Sequence, residues 1–376
     1  MKKTAKMFLV LVLALVMLAS TALASGVTGN MANFKAVREY EPFTDVENDA
    51  WYYGDIKTAY ELGIINGRGG GIFDPAGTLN IAEAVTLAVR TCCIYAGQEL
   101  PSTDCSPWYQ NMVDYAVDKG IINADEFDDY SAKATRGDMI DVFSFALPFE
   151  EYQRINRVLG IPDTSDSCAY LLYNAGILIG DENANCNIKA DVKRCEAAAI
   201  INRIAIPENR KSVTGVRPEG ILATSPDGSF NMVIPDNGKW EIKPPTEEQL
   251  TEDENFTPLI NLDLSTDDDF PAGAWVFKLN NKPADGESLF DFCSNVIKRD
   301  QELYYSEEGY TPVNDLTLGI FRGFLSVYGT YKNDTESADY TIIQTKPGTL
   351  YMIVLQYRAQ EEDSVFRTLF TFDAEL

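Results

Sequence analysis

Phe43-Thr-Asp-Val46, Asp49-Ala-Trp51 and Ala59-Tyr-Glu-Leu-Gly63-Ile-Ile-Asn-Gly67 form a sequence unit that returns twice downstream. The second copy reads Ser102-Thr-Asp104, Ser106-Pro-Trp108 and Ala116-Val-Asp-Lys-Gly120-Ile-Ile-Asn123. The third reads Ile161-Pro-Asp163-Thr-Ser-Asp166 and Leu172-Tyr-Asn-Ala-Gly176-Ile-Leu-Ile-Gly180. The Gly-Ile-Ile/Leu element recurs at 63, 120 and 176, a period of 56–57 residues. A fixed period of this size predicts one supersecondary unit stacked on copies of itself. Such stacks usually offer binding surfaces.

Within each copy the apolar residues keep helical spacing. Ile56, Ala59, Tyr60 and Gly63 form one stripe; Val113, Ala116, Val117, Gly120 and Ala169, Leu172, Tyr173, Gly176 repeat it. The glycine predicts a left-handed stop, and the apolar pair after it re-enters the core. A loop such as Gly67 to Pro75 leads to a second helix. Asn80 with Glu83, and Thr135 with Asp138, have the spacing of a capping box. The third copy has Lys193-Arg194-Cys195-Glu196. Lysine cannot cap, so that start is weaker or is capped by Asp191. Arg136 and Arg194 fall in the first helical turn, against the helix dipole. Two readings stand: an anion site beside free helix N–H groups, or guanidinium groups in solvent or paired with a nearby Asp.

The rest of the chain sets the context. Lys2, Lys3 and Lys6, the apolar run 7–19 and Ala22-Leu-Ala24 predict a secretory signal peptide over 1–24, with a linker over 25–42. No later run is long and apolar enough to cross a bilayer. A net charge of −26 excludes a general nucleic-acid or anionic-lipid binder. The chain has no His, which removes imidazole bases and His-ligated metal, and no Cys-x-x-Cys. No catalytic residue, metal site or cofactor is assigned. Of seven cysteines, Cys186 and Cys195 flank a loop and are a candidate disulfide, and Cys92 or Cys93 could reach Cys105; buried free thiols are the equal alternative.

The repeated residues resemble the S-layer homology (SLH) domain family. Its pattern runs Phe-x-Asp-Val, a Trp opening the first helix, Gly-Ile-Ile-x-Gly, Phe-x-Pro, then Thr-Arg-Ala-Glu. Copy one matches through Phe43, Asp45, Val46, Trp51, Gly63 to Gly67, Phe73, Pro75, Ala82 and Glu83. Copy two matches through Trp108, Gly120-Ile-Ile122, Thr135 and Arg136, and copy three through Gly176, Ile177, Gly180, Arg194 and Glu196. The resemblance implies SLH repeats at 43–98, 99–150 and 158–206. Together they would make an all-α three-repeat pseudo-trimer, a helical bundle with grooves between repeats. It implies non-covalent anchoring of a secreted protein to the secondary cell-wall polysaccharide of a Gram-positive-type surface layer, a glycan often bearing pyruvate ketals. The family's sugar-contacting Arg carries over to Arg136 and Arg194, with Trp51, Trp108 and Gly67 as further glycan-binding candidates. Copy one has Ile81 in place of the Arg, and copy three has Thr164 near the place of the Trp. For both Trp residues, core packing at a helix start is the favoured reading.

After a linker at 207–225, strands dominate residues 226–376, predicting an α+β domain on an antiparallel sheet. Phe230 to Ile234, a turn at 235–238 and 239–242 read as a hairpin, 286–299 as a helix and 363–374 as a closing helix. The order resembles a PsbP/Mog1-type sandwich, implying a binding or accessory module. Asp267 to Asp269 reads as a solvated loop. Tyr304, Tyr305, Tyr328 and Tyr331 read as sheet-face packing, with a ligand cleft as the alternative. The chain as a whole reads as a non-enzymatic, wall-anchored surface protein. The alternatives are a wall-associated glycan hydrolase or an adhesive protein acting through the C-terminal domain.

Overall fold

A computed structural model describes residues 27–213, 220–234, 236, 240–247, 249–264, 272–304, 308–358 and 371–374. The expected signal peptide, the acidic run at 267–269 and Tyr305 lie outside them. The chain divides into two compact units, Met1–Thr214 and Gly215–Leu376.

Among the described residues, unit one is helical. Its six α-helices are α1 Tyr53–Glu61, α2 Ile81–Ala96, α3 Gln110–Asp118, α4 Arg136–Ser144, α5 Ser167–Asn174 and α6 Arg194–Ala205. They fall into three two-helix modules. The first helix of each ends in the same way. Gly63, Gly120 and Gly176 adopt φ of 77°, 67° and 72°. Only glycine takes this left-handed conformation without a Cβ penalty. The glycine N–H bonds back to Tyr60, Val117 or Tyr173, and the next N–H to Ala59, Ala116 or Leu172. This pair of bonds satisfies carbonyls that a helix end leaves open. Ile64, Ile121 and Ile177 then turn inward and are fully buried.

The modules interlock rather than stack in a row. α3 packs on α2 and α5 on α4, while α1 closes back on α6. At the centre three residues form a ring of backbone bonds. Leu79 N–H donates to Val192 C=O (3.2 Å), Val192 N–H to Ala134 C=O (3.0 Å), and Ala134 N–H to Leu79 C=O (2.9 Å). All three side chains are buried. Each immediately precedes the N-cap of a second helix, so the three caps radiate from one point.

The expected linkers are partly structured. Val27 and Phe34 are buried, and Asn30 N–H bonds to Tyr95 C=O. Arg38 lies 3.7 Å over the Tyr60 ring and donates to the carbonyls of Tyr60 and Ile65. At the other end Arg210 donates to Arg203 and Glu151 carbonyls. Residues 27–42 and 207–213 therefore belong to unit one, held by cationic side chains that a composition-based reading assigns to solvent.

Among the described residues, unit two contains an eight-stranded and a three-stranded sheet. Its elements are β1 Ile221–Thr224, β2 Phe230–Ile234, β3 Trp240–Lys243, α7 Gln249–Glu252, β4 Phe256–Leu264, β5 Ala272–Leu279, α8 Leu289–Tyr304, β6 Thr311–Pro312, β7 Thr317–Phe321, β8 Phe324–Lys332, β9 Glu336–Lys346, β10 Thr349–Arg358 and β11 Thr371–Ala374. The large sheet runs β3-β4-β5-β10-β9-β8-β6, with β7 also on β8; the small one runs β1-β2-β11. Every pair is antiparallel. Alternating residues of the large sheet face two cores. Ile260, Leu262, Val276 and Ile353 pack with Phe230 and Met232 of the small sheet. Tyr340, Ile342, Met352 and Val354 pack with Cys293 and Ile297 of α8.

Three expectations for this half are corrected. β2 and β3 do not form a hairpin: β2 pairs with β1 and β11, and β3 pairs with β4. Phe230 and Trp240 both bury in the inter-sheet core, which the chain reaches by crossing from one sheet to the other. Residues 371–374 of the expected closing helix are a strand on β2, and strand β1 occupies residues expected to be linker. Tyr331 is buried as expected of a sheet-face residue, whereas Tyr328 is exposed.

Candidate functional site

The seams between modules gather the two arginines, the helix caps and Gly67. The first two N–H groups of each second helix point into the loop of the next module. Ile81 and Ala82 donate to Ala132 and Tyr130; Arg136 and Gly137 to Ala190 and Ile188; Arg194 and Cys195 to Gly77 and Pro75. The third N–H is taken by the cap in two modules. Glu83 N–H donates to Asn80 Oδ1 (2.8 Å) and Asp138 N–H to Thr135 Oγ1 (3.1 Å). Reciprocally, the N–H groups of Asn80, Thr135 and Lys193 donate to carboxylate oxygens of Glu83, Asp138 and Glu196. Lys193 supplies no side-chain cap, and Asp191 instead pairs with Lys133 at 2.6 Å.

The anion-site reading is narrowed to the arginine side chains, without the helix N–H groups. The leading helix N–H groups are not free for a ligand, because neighbouring carbonyls hold them. The two arginines are also committed. Arg194, 6% exposed, donates from Nε to Phe73 C=O (2.8 Å) and from Nη2 to Asn66 C=O (2.7 Å), with its guanidinium 4.7 Å over the Phe73 ring. Burial lowers its pKa. Arg136 donates from Nε to Cys186 C=O (2.9 Å) and pairs with Glu196 at 3.4 Å. Each arginine thus fastens its helix start to the next module's loop. Ile81, at the equivalent place in module one, buries instead.

Cys186 and Cys195 are free thiols, as are the other five cysteines. The physical reason is placement. Cys186 carries the carbonyl that holds Arg136, at the seam of modules two and three. Cys195 donates its N–H to Pro75, at the seam of modules three and one.

The tryptophans depart from the core-packing expectation. Trp51 is 65% exposed and Trp108 43% exposed. Each precedes a first helix and stands edge-on to the next tyrosine, Tyr52 or Tyr109. Gly67 lies at the seam of modules three and one, next to the Asn66 carbonyl that holds Arg194. A Cβ there would meet Phe43 at 2.5 Å and the Ile72 carbonyl at 2.7 Å, so close packing requires the glycine.

Sequence reasoning missed two repeated devices. Asp45 accepts from Phe73 N–H and Asp74 N–H, and Asp163 accepts from Cys186 N–H and Asn187 N–H, stapling the same loop in two modules. Arg90 and Arg203, nine residues after Ile81 and Arg194, donate to Ile64 and Ile177 carbonyls just past the glycine stops. Aligning charged positions across the copies would have found both.

An acidic knot lies where α4 meets α5. Atoms of Asp141, Asp166 and Cys168 lie within 4.8 Å of one another. Burial, then repulsion from Asp166 and Glu126, push the Asp141 carboxyl up to about 7. A carboxyl raised in the folded state binds more protons there than in the unfolded chain. Stability is therefore expected to fall as pH rises from about 4 to about 7 and to level off above that. Asp141→Asn should raise the melting temperature at pH 8, by the equivalent of roughly 1–3 kcal/mol, and change little at pH 4. Thermal melts at the two pH values check this; equal effects at both would contradict it.

Residues 42–85, covering α1, the seam loop and the start of α2, match the S-layer homology domain. Over 129 residues the chain is 31% identical to a protein described as "Cell surface protein" from Thermoanaerobacter kivui, a match covering 34% of this chain. It spans 16% of that relative's length. A solved structure from Bacteroides thetaiotaomicron aligns over 42% of this chain and 50% of its own, at 12% identity and a TM-score of 0.24, and carries no argument. The S-layer homology match thus falls on residues 42–85, in the first of three interlocked helical modules.

Proposed function

We propose that the protein is a secreted cell-surface protein whose three helical modules are all SLH repeats. In this reading they form a pseudo-trimer that grips secondary cell-wall polysaccharide without a covalent bond. Residues from 221 onward are then the displayed cargo, with no catalytic role assigned. The observation that carries the reading is the pair of exposed indoles. Trp51 and Trp108 stand 57 residues apart at the same module position and remain open while their modules' cores are closed. An exposed indole is a platform for the apolar face of a sugar ring. Of the two arginines, Arg136 is the more accessible, with its side chain 16% exposed, and an acidic substituent such as a pyruvate ketal would meet it in place of Glu196. The "Cell surface protein" match supports the location.

The test separates grip from folding. Trp51→Ala with Trp108→Ala should weaken retention on purified cell walls by about tenfold or more, in keeping with stacking losses of about 1–3 kcal/mol per ring. Because both side chains are exposed, the melting temperature should stay within about 2 °C. Full retention by the double variant would remove the indoles from the site.

A further inference from the structure

On the α8 side of the large sheet of unit two, one cleft is left open. It has a volume of about 340 Å³, within the range of small-ligand sites. Its floor is three adjacent strands: Phe256 and Pro258 of β4, Trp275 and Phe277 of β5, Met352 and Val354 of β10. Register fixes this grouping, since Met352 lies opposite Phe277, and Val354 opposite Trp275. The walls carry Gln249, Asp253, Asp300 and Glu308. Three carboxylates and no Lys or Arg line it, among the described residues.

The carboxylates differ in how far they are already satisfied. Asp253 accepts from Asn255 and from Arg299 Nη2 (2.8 Å), so its charge is met. Asp300 is 7% exposed and accepts from the neutral Tyr340 hydroxyl at 2.7 Å, while Arg299, the cation nearby, spends its Nη2 on Asp253. Burial, with a smaller push from the Asp253 charge, raises its carboxyl to about 6 despite the nearby Arg299. A second carboxylate, Glu308, stands exposed at the cleft.

We infer that this cleft binds a protonated organic amine, its apolar body on the Trp275–Phe277 floor and its ammonium group against Asp300 and Glu308. An ammonium is attracted by aromatic faces as well as by carboxylates, and both are present here. A neutral sugar would use the aromatic floor but would leave the buried charge of Asp300 uncompensated. The amine is either a free small molecule or a lysine side chain of a peptide; the chemistry at the cleft is the same.

The experiment is calorimetric titration of the full chain at pH 8, where Asp300 is ionised. The probes are phenethylamine, Nα-acetyl-lysine amide, 2-phenylethanol and a neutral disaccharide. At least one amine should bind about tenfold or more tightly than 2-phenylethanol. A preference for the lysine amide assigns the ligand to a peptide, and a preference for phenethylamine to a free amine. Asp300→Asn should remove most of the amine preference while leaving 2-phenylethanol unchanged, with Glu308→Gln showing a smaller loss. If Asp300→Asn fails to fold, the amine-to-alcohol ratio of the unmodified chain and the Glu308→Gln variant still decide. Equal binding of amine and alcohol, tighter binding of the disaccharide, or no binding of any probe at millimolar concentration would overturn the inference.

Discussion

Arg194→Ala should destabilise the helical unit by roughly 3–5 kcal/mol, because two carbonyls in a closed seam lose their donors together. The Phe73 and Asn66 carbonyls are the partners, and the Phe73 ring loses the guanidinium above it. For a domain of this size the fall in melting temperature is about 6–15 °C. Arg194→Lys keeps the charge but not the planar fork, and should fall between the two. The damage should be topological as well as local. Arg194 joins residues 121 positions apart, the last module to the first, so its loss frees the closing seam of the ring. Hydrogen exchange should then rise first at the α6 start and in the 66–77 loop. A melting temperature within about 1 °C of the parent would contradict this role.

Phe73→Ala should cost a similar amount, about 3–5 kcal/mol, for a different reason. The ring is fully buried, 5.3 Å from the Phe43 ring and beneath Arg194. Removing it leaves a void that Phe43 and the loop cannot fill without moving, since the Phe73 N–H is fixed to Asp45. The two substitutions share partners, so the double variant should cost less than the sum. Chemical denaturation of the four species measures the coupling, and strict additivity would show that ring and guanidinium act independently.

Much of the local structure was legible. Glycine followed by two apolar residues specifies its own helix stop, because the left-handed residue and the inward turn are decided within six positions. Asn80 with Glu83 and Thr135 with Asp138 were legible for the same reason: the donor and acceptor lie three residues apart. The fate of Arg136 and Arg194 was not legible. Their partners are carbonyls 50 and 121 residues away, and backbone carbonyls carry no sequence signature. The same limit hid the Leu79–Ala134–Val192 ring, whose members share only a position before a cap. Trp51 and Trp108 were misread as core because a large aromatic at a helix start usually buries. Here Ile56 and Met112, inside the following helices, fill the core instead. In unit two the turn at 235–238 suggested a hairpin, yet Phe230 and Trp240 enter one core from different sheets.

The anchoring role turns on whether the surface sugar, rather than the rest of the wall, is what the helical unit holds. The full chain should co-sediment with purified cell walls that retain their secondary polysaccharide. It should remain in the supernatant with walls stripped of that polysaccharide. Equal retention on both preparations, or retention on neither, would contradict it.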